Sequence, residues 1–324
     1  MYIIKVISAA LFMLFLSAAL TPTVICAAEP PAQTRGLSIA DSVSYDPALK
    51  RIYTGLLTVS EIKTNYFYDE HTVHFANSAN WRMRRVFLRE PLLREALLLG
   101  DHMVIRCEKG CFAEYIEDGE NSYIQLTEPK ELYETVVVID PGHGKEDYGA
   151  VVNRTVFEKD IDLDIVLRLL EAFENEKILL LPTRTEEKYV SLEYRFRLAN
   201  KVGDYFISVH NNVDERSQNT GGTITYHHNH ETDAPITSRE LAEIAQSAVA
   251  GRLQTRDRGA VNSDVYRILL NSKIPTALVE VMFMSNPGEL ARLEDPACRQ
   301  EIALALLDAI NALPPARNLT ARTS

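Results

Sequence analysis

From Glu134 onward, short apolar runs alternate with stretches of helical apolar spacing, and this alternation narrows the available folds more than any other feature of the chain. Val136 to Asp140 reads as a buried strand, Ile161 to Phe173 as a helix, Ile178 to Leu181 as a strand and Ser191 to Val202 as a helix. Strands follow at Tyr205 to His210 and Thr223 to His228. A helix from Ser238 to Leu253 opens with Thr237 and Glu240 spaced as a capping box, then come a strand from Thr276 to Met284 and a helix from Pro296 to Leu313. Continuous apolar strands separated by helices predict an α/β fold, a central mostly parallel sheet covered by helices. In such sheets chemistry collects at the carboxyl ends of the strands.

The sequence before this region has a different texture. Residues 1–28 carry one charge, Lys5, then an apolar run from Val6 to Leu20 and a small-residue end at Ala27 and Ala28, the order of a secretory signal peptide. An uncleaved anchor is the alternative, though the run is short for a span of about 20 residues. Attachment of lipid at Cys26 is disfavoured by the bulky Ile25 before it. Cleavage would leave no membrane span and would place the mature protein outside the membrane, in the cell wall, periplasm or extracellular space. Residues 29–44 read as a linker, 45–132 as a small β-rich module, 133–314 as the α/β domain and 315–324 as a tail.

The net charge of −11 excludes an evenly basic nucleic-acid binder, so any anionic partner needs a local basic patch. Arg82, Arg84, Arg85, Arg89 and Arg94 form such a cluster and could meet an anionic wall polymer, or could simply be a solvated face. Cys107 and Cys111 flank Glu-Lys-Gly between two strand-like runs, so in an oxidising compartment a disulfide across a hairpin is expected, with free thiols as the alternative. A zinc site there lacks a second Cys or His pair at matching spacing. Cys298 reads as a small apolar residue on the last helix.

Four polar residues stand where an α/β sheet places chemistry. His143 follows the first strand in Asp-Pro-Gly-His-Gly, Glu158 precedes the next helix, His210 ends Phe-Ile-Ser-Val-His, and Glu280 interrupts Ala-Leu-Val-Glu-Val-Met-Phe. A Glu inside a buried strand costs several kcal/mol unless paired or metal-linked, roughly the penalty for an unpaired buried ion. Two His and one carboxylate make a hydrolytic zinc site with one position open to water, and a further carboxylate can take that water's proton. The group His227, His228 and His230 is a rival by count, but adjacent strand residues point to opposite faces, so His227 and His228 cannot readily share an ion.

Val-Val-Val-Ile-Asp-Pro-Gly-His-Gly, Glu158-Lys159-Asp160, Thr183-Arg184, Arg195, Ala199-Asn200, Phe206-Ile207-Ser208-Val209-His210, Gly221-Gly222-Thr223, Leu278-Val279-Glu280 and Ser285-Asn286 together resemble the zinc-dependent N-acetylmuramoyl-L-alanine amidases of the Amidase_3 type. The likeness runs in order over residues 135 to 312. It implies that His143, Glu158 and His210 bind Zn2+, that Glu280 is catalytic, and that the substrate is the amide between N-acetylmuramic acid and L-alanine in peptidoglycan. A wall-binding protein without activity and a zinc peptidase acting on stem peptides are the alternatives. Lys145, Asn211 and Met282 depart from the family pattern, and Lys145 and Met282 bear on substrate fit.

Overall fold

The computed structural model describes residues 37–319, apart from short segments at 41–42, 56, 66–69, 77–80, 89, 91, 108–110 and 119–120. The expected signal peptide and Arg89 lie outside the described residues.

The β-rich part comprises β1 (Leu37–Ala40), β2 (Val43–Asp46), β3 (Arg51–Tyr53), β4 (Val59–Asn65), β5 (Glu70–Phe75), β6 (Trp81–Phe87), β7 (Leu93–Gly100), β8 (His102–Cys107), β9 (Phe112–Ile116) and β10 (Tyr123–Thr127). They form two five-stranded sheets, ordered β1-β2-β3-β10-β9 and β4-β5-β8-β7-β6. Every pairing is antiparallel. Alternate residues of both sheets, among them Ile52, Ile124, Val73, Met103 and Ile105, share one apolar core. The segment read as a linker, residues 29–44, holds β1 and the first two residues of β2, with Ile39 and Val43 buried in that core, so the β-rich part begins earlier than the Pro-rich composition suggested.

Cys107 ends β8 in one sheet and Cys111 precedes β9 in the other, so they are not the facing pair of one hairpin. Their sulfurs stand 2.7 Å apart. Strand β6 lies at a sheet edge and carries Arg82, Arg84 and Arg85 exposed, together with exposed Met83 and Phe87. Arg85 is paired with Glu95 at 2.7 Å.

After α1 (Pro129–Leu132) the α/β part runs β11 (Thr135–Pro141), the hairpin β12 (Val151–Val152) and β13 (Val156–Phe157), α2 (Glu158–Ala172), β14 (Ile178–Pro182), α3 (Leu192–Val202), β15 (Tyr205–Asn212), β16 (Thr223–His227) and α4 (Ser238–Leu253). It closes with β17 (Asp257–Asn262), α5 (Arg267–Asn271), β18 (Thr276–Phe283), α6 (Pro287–Glu294) and α7 (Pro296–Asn311). The sheet order is β14-β11-β15-β18-β16-β17, and all pairs are parallel except β16 with β18. Helices α2, α4 and α7 cover one face and α3 and α5 the other, which is why β11 and β18 are buried at every residue. Thr237 and Glu240 form the capping box that starts α4. Met282, fully buried in the core, does not line a surface cleft.

Candidate metal centre

The parallel sheet brings the ends of β11, β15 and β18 side by side, with His210 in register with Glu280. The turn after β11 carries His143 at φ 57° and Gly144 at φ 137°, a left-handed excursion that turns the imidazole back over the strand ends. Lys145 follows at φ 54°, in the left-handed region that favours glycine. Glu158 is the first residue of α2, so its carboxylate sits at the positive end of the helix.

These elements converge. Glu158 Oε1 lies 3.2 Å from His143 Nε2 and 2.9 Å from His210 Nδ1, and one ligand atom from each of the three residues falls within 4.8 Å of the others. The remaining demands of the carboxylate are met by the backbone N–H of Asn211, donating to Oε1 at 3.1 Å, and that of Ala150, donating to Oε2 at 2.7 Å. His143 Nδ1 stands 2.7 Å from Asp147 Oδ1, leaving Nε2 to face the cluster. Two glycines make the space. A Cβ on Gly142 would lie 2.3 Å from the His210 ring, and one on Gly149 would lie 2.5 Å from Glu158 Oε2 and 2.8 Å from His143 Nε2.

The electrostatics follow from this packing. Burial pushes the Glu158 carboxyl up, but the hydrogen bonds and charges of His143 and His210 outweigh it and hold the group well below the usual carboxylate range. Burial alone would lower His143, yet Glu158 and Asp147 raise it. Glu280 has no cation at hydrogen-bond distance: burial, then the charge of Glu158, pushes it up to about 8, and its Oε2 is buried without a hydrogen-bond partner. Asp162, fully buried and bound to the Asn211 amide at 2.8 Å, is likewise pushed well above its ordinary value by burial.

A buried scaffold holds the turn. The Arg195 guanidinium donates to the Asp140 carboxylate, to the Pro141 carbonyl at 2.7 Å and to the His143 carbonyl, while Arg184 donates to the carbonyls of Gly142 at 2.6 Å and Lys159 at 2.8 Å. Asp140 also accepts from Thr183 and from Ser208 Oγ at 2.7 Å.

All four residues singled out in the sequence thus belong to one neighbourhood. The rival histidines do not form a ligand cluster: His227 is buried at the end of β16, His228 Nδ1 faces Asp264 at 3.1 Å, and His230 Nδ1 faces the His228 carbonyl at 3.2 Å. Asp147 and Asp162 were not anticipated, and Asn211 was noted only as a departure from the family pattern. Only Asp147, four residues after His143, had a local signal, the spacing of an orienting carboxylate.

An α/β sheet with two imidazoles and a carboxylate converging at its strand ends, beside a second, buried carboxylate, defines the class of α/β proteins with a donor set that could hold a single metal ion. The chain belongs to the Amidase_3 family of N-acetylmuramoyl-L-alanine amidases, whose family model matches residues 137–312. It is 33% identical over 173 residues to N-acetylmuramoyl-L-alanine amidase LytC of Bacillus subtilis, a match covering 53% of this chain and 34% of LytC. It is 30% identical over 205 residues to the probable cell wall amidase LytH of Staphylococcus aureus, covering 63% of this chain and 66% of LytH. The chain therefore spans less than two thirds of the length of either relative. Among solved structures, the N-acetylmuramoyl-L-alanine amidase from Clostridium difficile 630 superposes with a TM-score of 0.51 at 29% identity, covering 55% of this chain and 95% of that one.

Proposed function

We propose that this protein hydrolyses the amide joining the lactyl group of N-acetylmuramic acid to L-alanine in peptidoglycan, with Zn2+ held by His143, Glu158 and His210 and with Glu280 handling the proton. The observation that carries this reading is the orphaned carboxylate oxygen of Glu280 beside the three converging donors. A buried acid without a partner is expensive unless chemistry uses it. The donor set, two nitrogens and one oxygen with a gap kept by Gly142 and Gly149, fits zinc.

When bound, zinc would acidify a water and polarise the scissile carbonyl. Asp147 holds the His143 ring by its Nδ1, and the Asn211 and Ala150 N–H groups hold both oxygens of Glu158, so the donors are oriented before the substrate arrives. Glu280 takes the proton of the attacking water and returns it to the departing nitrogen of L-alanine. A carboxylate held beside the cation can take a proton and give it back within one turnover. The mature chain would act outside the membrane, and among the described residues no helix is long and apolar enough to cross one. Exposed Arg82 and Arg84 on β6 would meet an anionic wall polymer.

Digestion of purified peptidoglycan followed by mass spectrometry tests the reading. Chelator-sensitive release of intact stem peptides with a free L-alanine amine is the expected result, restored by added zinc. Cuts within the stem peptide would favour the peptidase reading, and no product from the zinc-loaded protein would favour a wall-binding role. Replacing His143 or His210 by Ala should abolish zinc retention and activity together. In Gly149→Ala the new methyl would press on Glu158 and His143, so zinc affinity, read by competition with a chromogenic chelator, should fall about 10- to 100-fold, the range for disturbing a ligand's support.

A further inference from the structure

A second convergence of metal-ligand side chains lies in the β-rich part. The inward-facing stripe of β5 runs Phe75, Val73, His71, and that of β8 runs Met103, Ile105, Cys107, so each stripe ends in a donor where the alternation calls for an apolar residue. His71 pairs with Ile105 in the ladder and is therefore a diagonal neighbour of Cys107 on the same face. Cys111 arrives from the other sheet, just ahead of β9. His71, Cys107 and Cys111 are 2%, 4% and 2% exposed. His71 Nε2 is 3.3 Å from Cys111 Sγ, the two sulfurs are 2.7 Å apart, and one ligand atom from each of the three lies within 4.8 Å of the others.

We propose that His71, Cys107 and Cys111 form a structural metal site, distinct from the catalytic centre, that takes a thiophilic d10 cation, Zn2+ or Cu+. Two thiolates and an imidazole are the donor set such ions prefer over oxygen-binding cations. The imidazole-to-sulfur separation is already close to the roughly 3.5 Å spanned by donors sharing a tetrahedral ion, from Zn–N near 2.0 Å and Zn–S near 2.3 Å. The two sulfurs would part by about 1 Å, within reach of small side-chain rotations. Both thiols release their protons on binding, and the cation neutralises the buried thiolates. Because Cys107 belongs to one sheet and Cys111 leads into the other, the ion ties the two sheets together at one end of their shared core. A β-rich part of this size gains from such a clamp, since a small core alone supplies little stability.

The test uses the full chain, purified under reducing conditions and loaded in separate arms with Zn2+ and with Cu+, then desalted and assayed for metal. In the doubly substituted His143→Ala, His210→Ala variant, one ion per chain is expected to remain, and the arm that retains it identifies the cation. Adding Cys107→Ser should remove that ion. Loading the otherwise unaltered chain with Co2+ gives a readout that needs no substitution: a sulfur-to-cobalt charge-transfer band, lost when zinc displaces the cobalt. A folded, reduced chain that shows neither the band nor any ion beyond the catalytic one overturns the proposal. So does peptide mapping of the exported protein, unfolded without reductant, in which Cys107 and Cys111 resist alkylation as a disulfide.

Discussion

Replacing Glu280 by Gln is expected to lower kcat on peptidoglycan by about 10²- to 10⁴-fold while zinc content stays near one ion per chain at the catalytic centre, the range for loss of a positioned general base. Gln preserves size and hydrogen bonding, so the change isolates the proton. Near-full activity in the zinc-loaded variant would sink the assignment, and loss of zinc would recast Glu280 as a ligand. A second readout comes from the metal-free protein. There the folded chain keeps a proton on Glu280 up to about pH 8, whereas the unfolded chain releases it near its ordinary value of 4.5. Stability from this group is therefore complete below about 4.5 and is lost as the pH rises toward 8. Gln cannot ionise. The metal-free variant should lose less thermal stability than the parent between pH 5 and pH 8, and identical losses would show that the buried carboxyl is not raised.

Arg195→Met should destabilise the folded protein by about 3–5 kcal/mol, the cost of leaving a buried charge without its partner. Both side chains of the pair are buried, Arg195 at 2% and Asp140 at 0% exposure, and neither can turn to water without disturbing the sheet. Thr183 and Ser208 would still donate to Asp140, but no cation would face it directly. The same substitution frees the His143 carbonyl and leaves the Pro141 carbonyl to Arg184 alone, so zinc affinity should drop together with stability. Denaturant unfolding and a zinc titration on the same preparation measure both. A loss below about 1 kcal/mol, the level of an exposed pair, would mean that this guanidinium does not hold the turn.

Local chemistry made much of the α/β part legible. Helix α4 spans Ser238–Leu253, as its capping box indicated, because Thr237 and Glu240 are three residues apart and satisfy each other without help from the rest of the chain. Continuous apolar strands announced a sheet covered on both faces, and Glu280 stood out because a charge in such a strand needs a reason. Other elements left weaker traces. Strand β17, Asp-Arg-Gly-Ala-Val-Asn, pairs only with β16 at the sheet edge, and with half its surroundings in solvent it carries no apolar run to read. β1 and β2 were hidden by the Pro-rich residues ahead of them, since four-residue strands are too short to show a period.

The sequence by itself determined the α/β class, because burial periodicity is a property of neighbouring residues, and it singled out His143, Glu158, His210 and Glu280 as candidates by their places at strand and helix ends and by their resemblance to the Amidase_3 pattern. Only the tertiary structure decided what surrounds them. Arg195 reaches Asp140 across 55 positions, Asn211 reaches Asp162 across 49, and His71 meets Cys111 across 40. Pairings of that kind have no spacing to betray them: they exist because parallel strands and two packed sheets bring distant segments within hydrogen-bonding distance, and a chain read in one dimension contains no record of that distance.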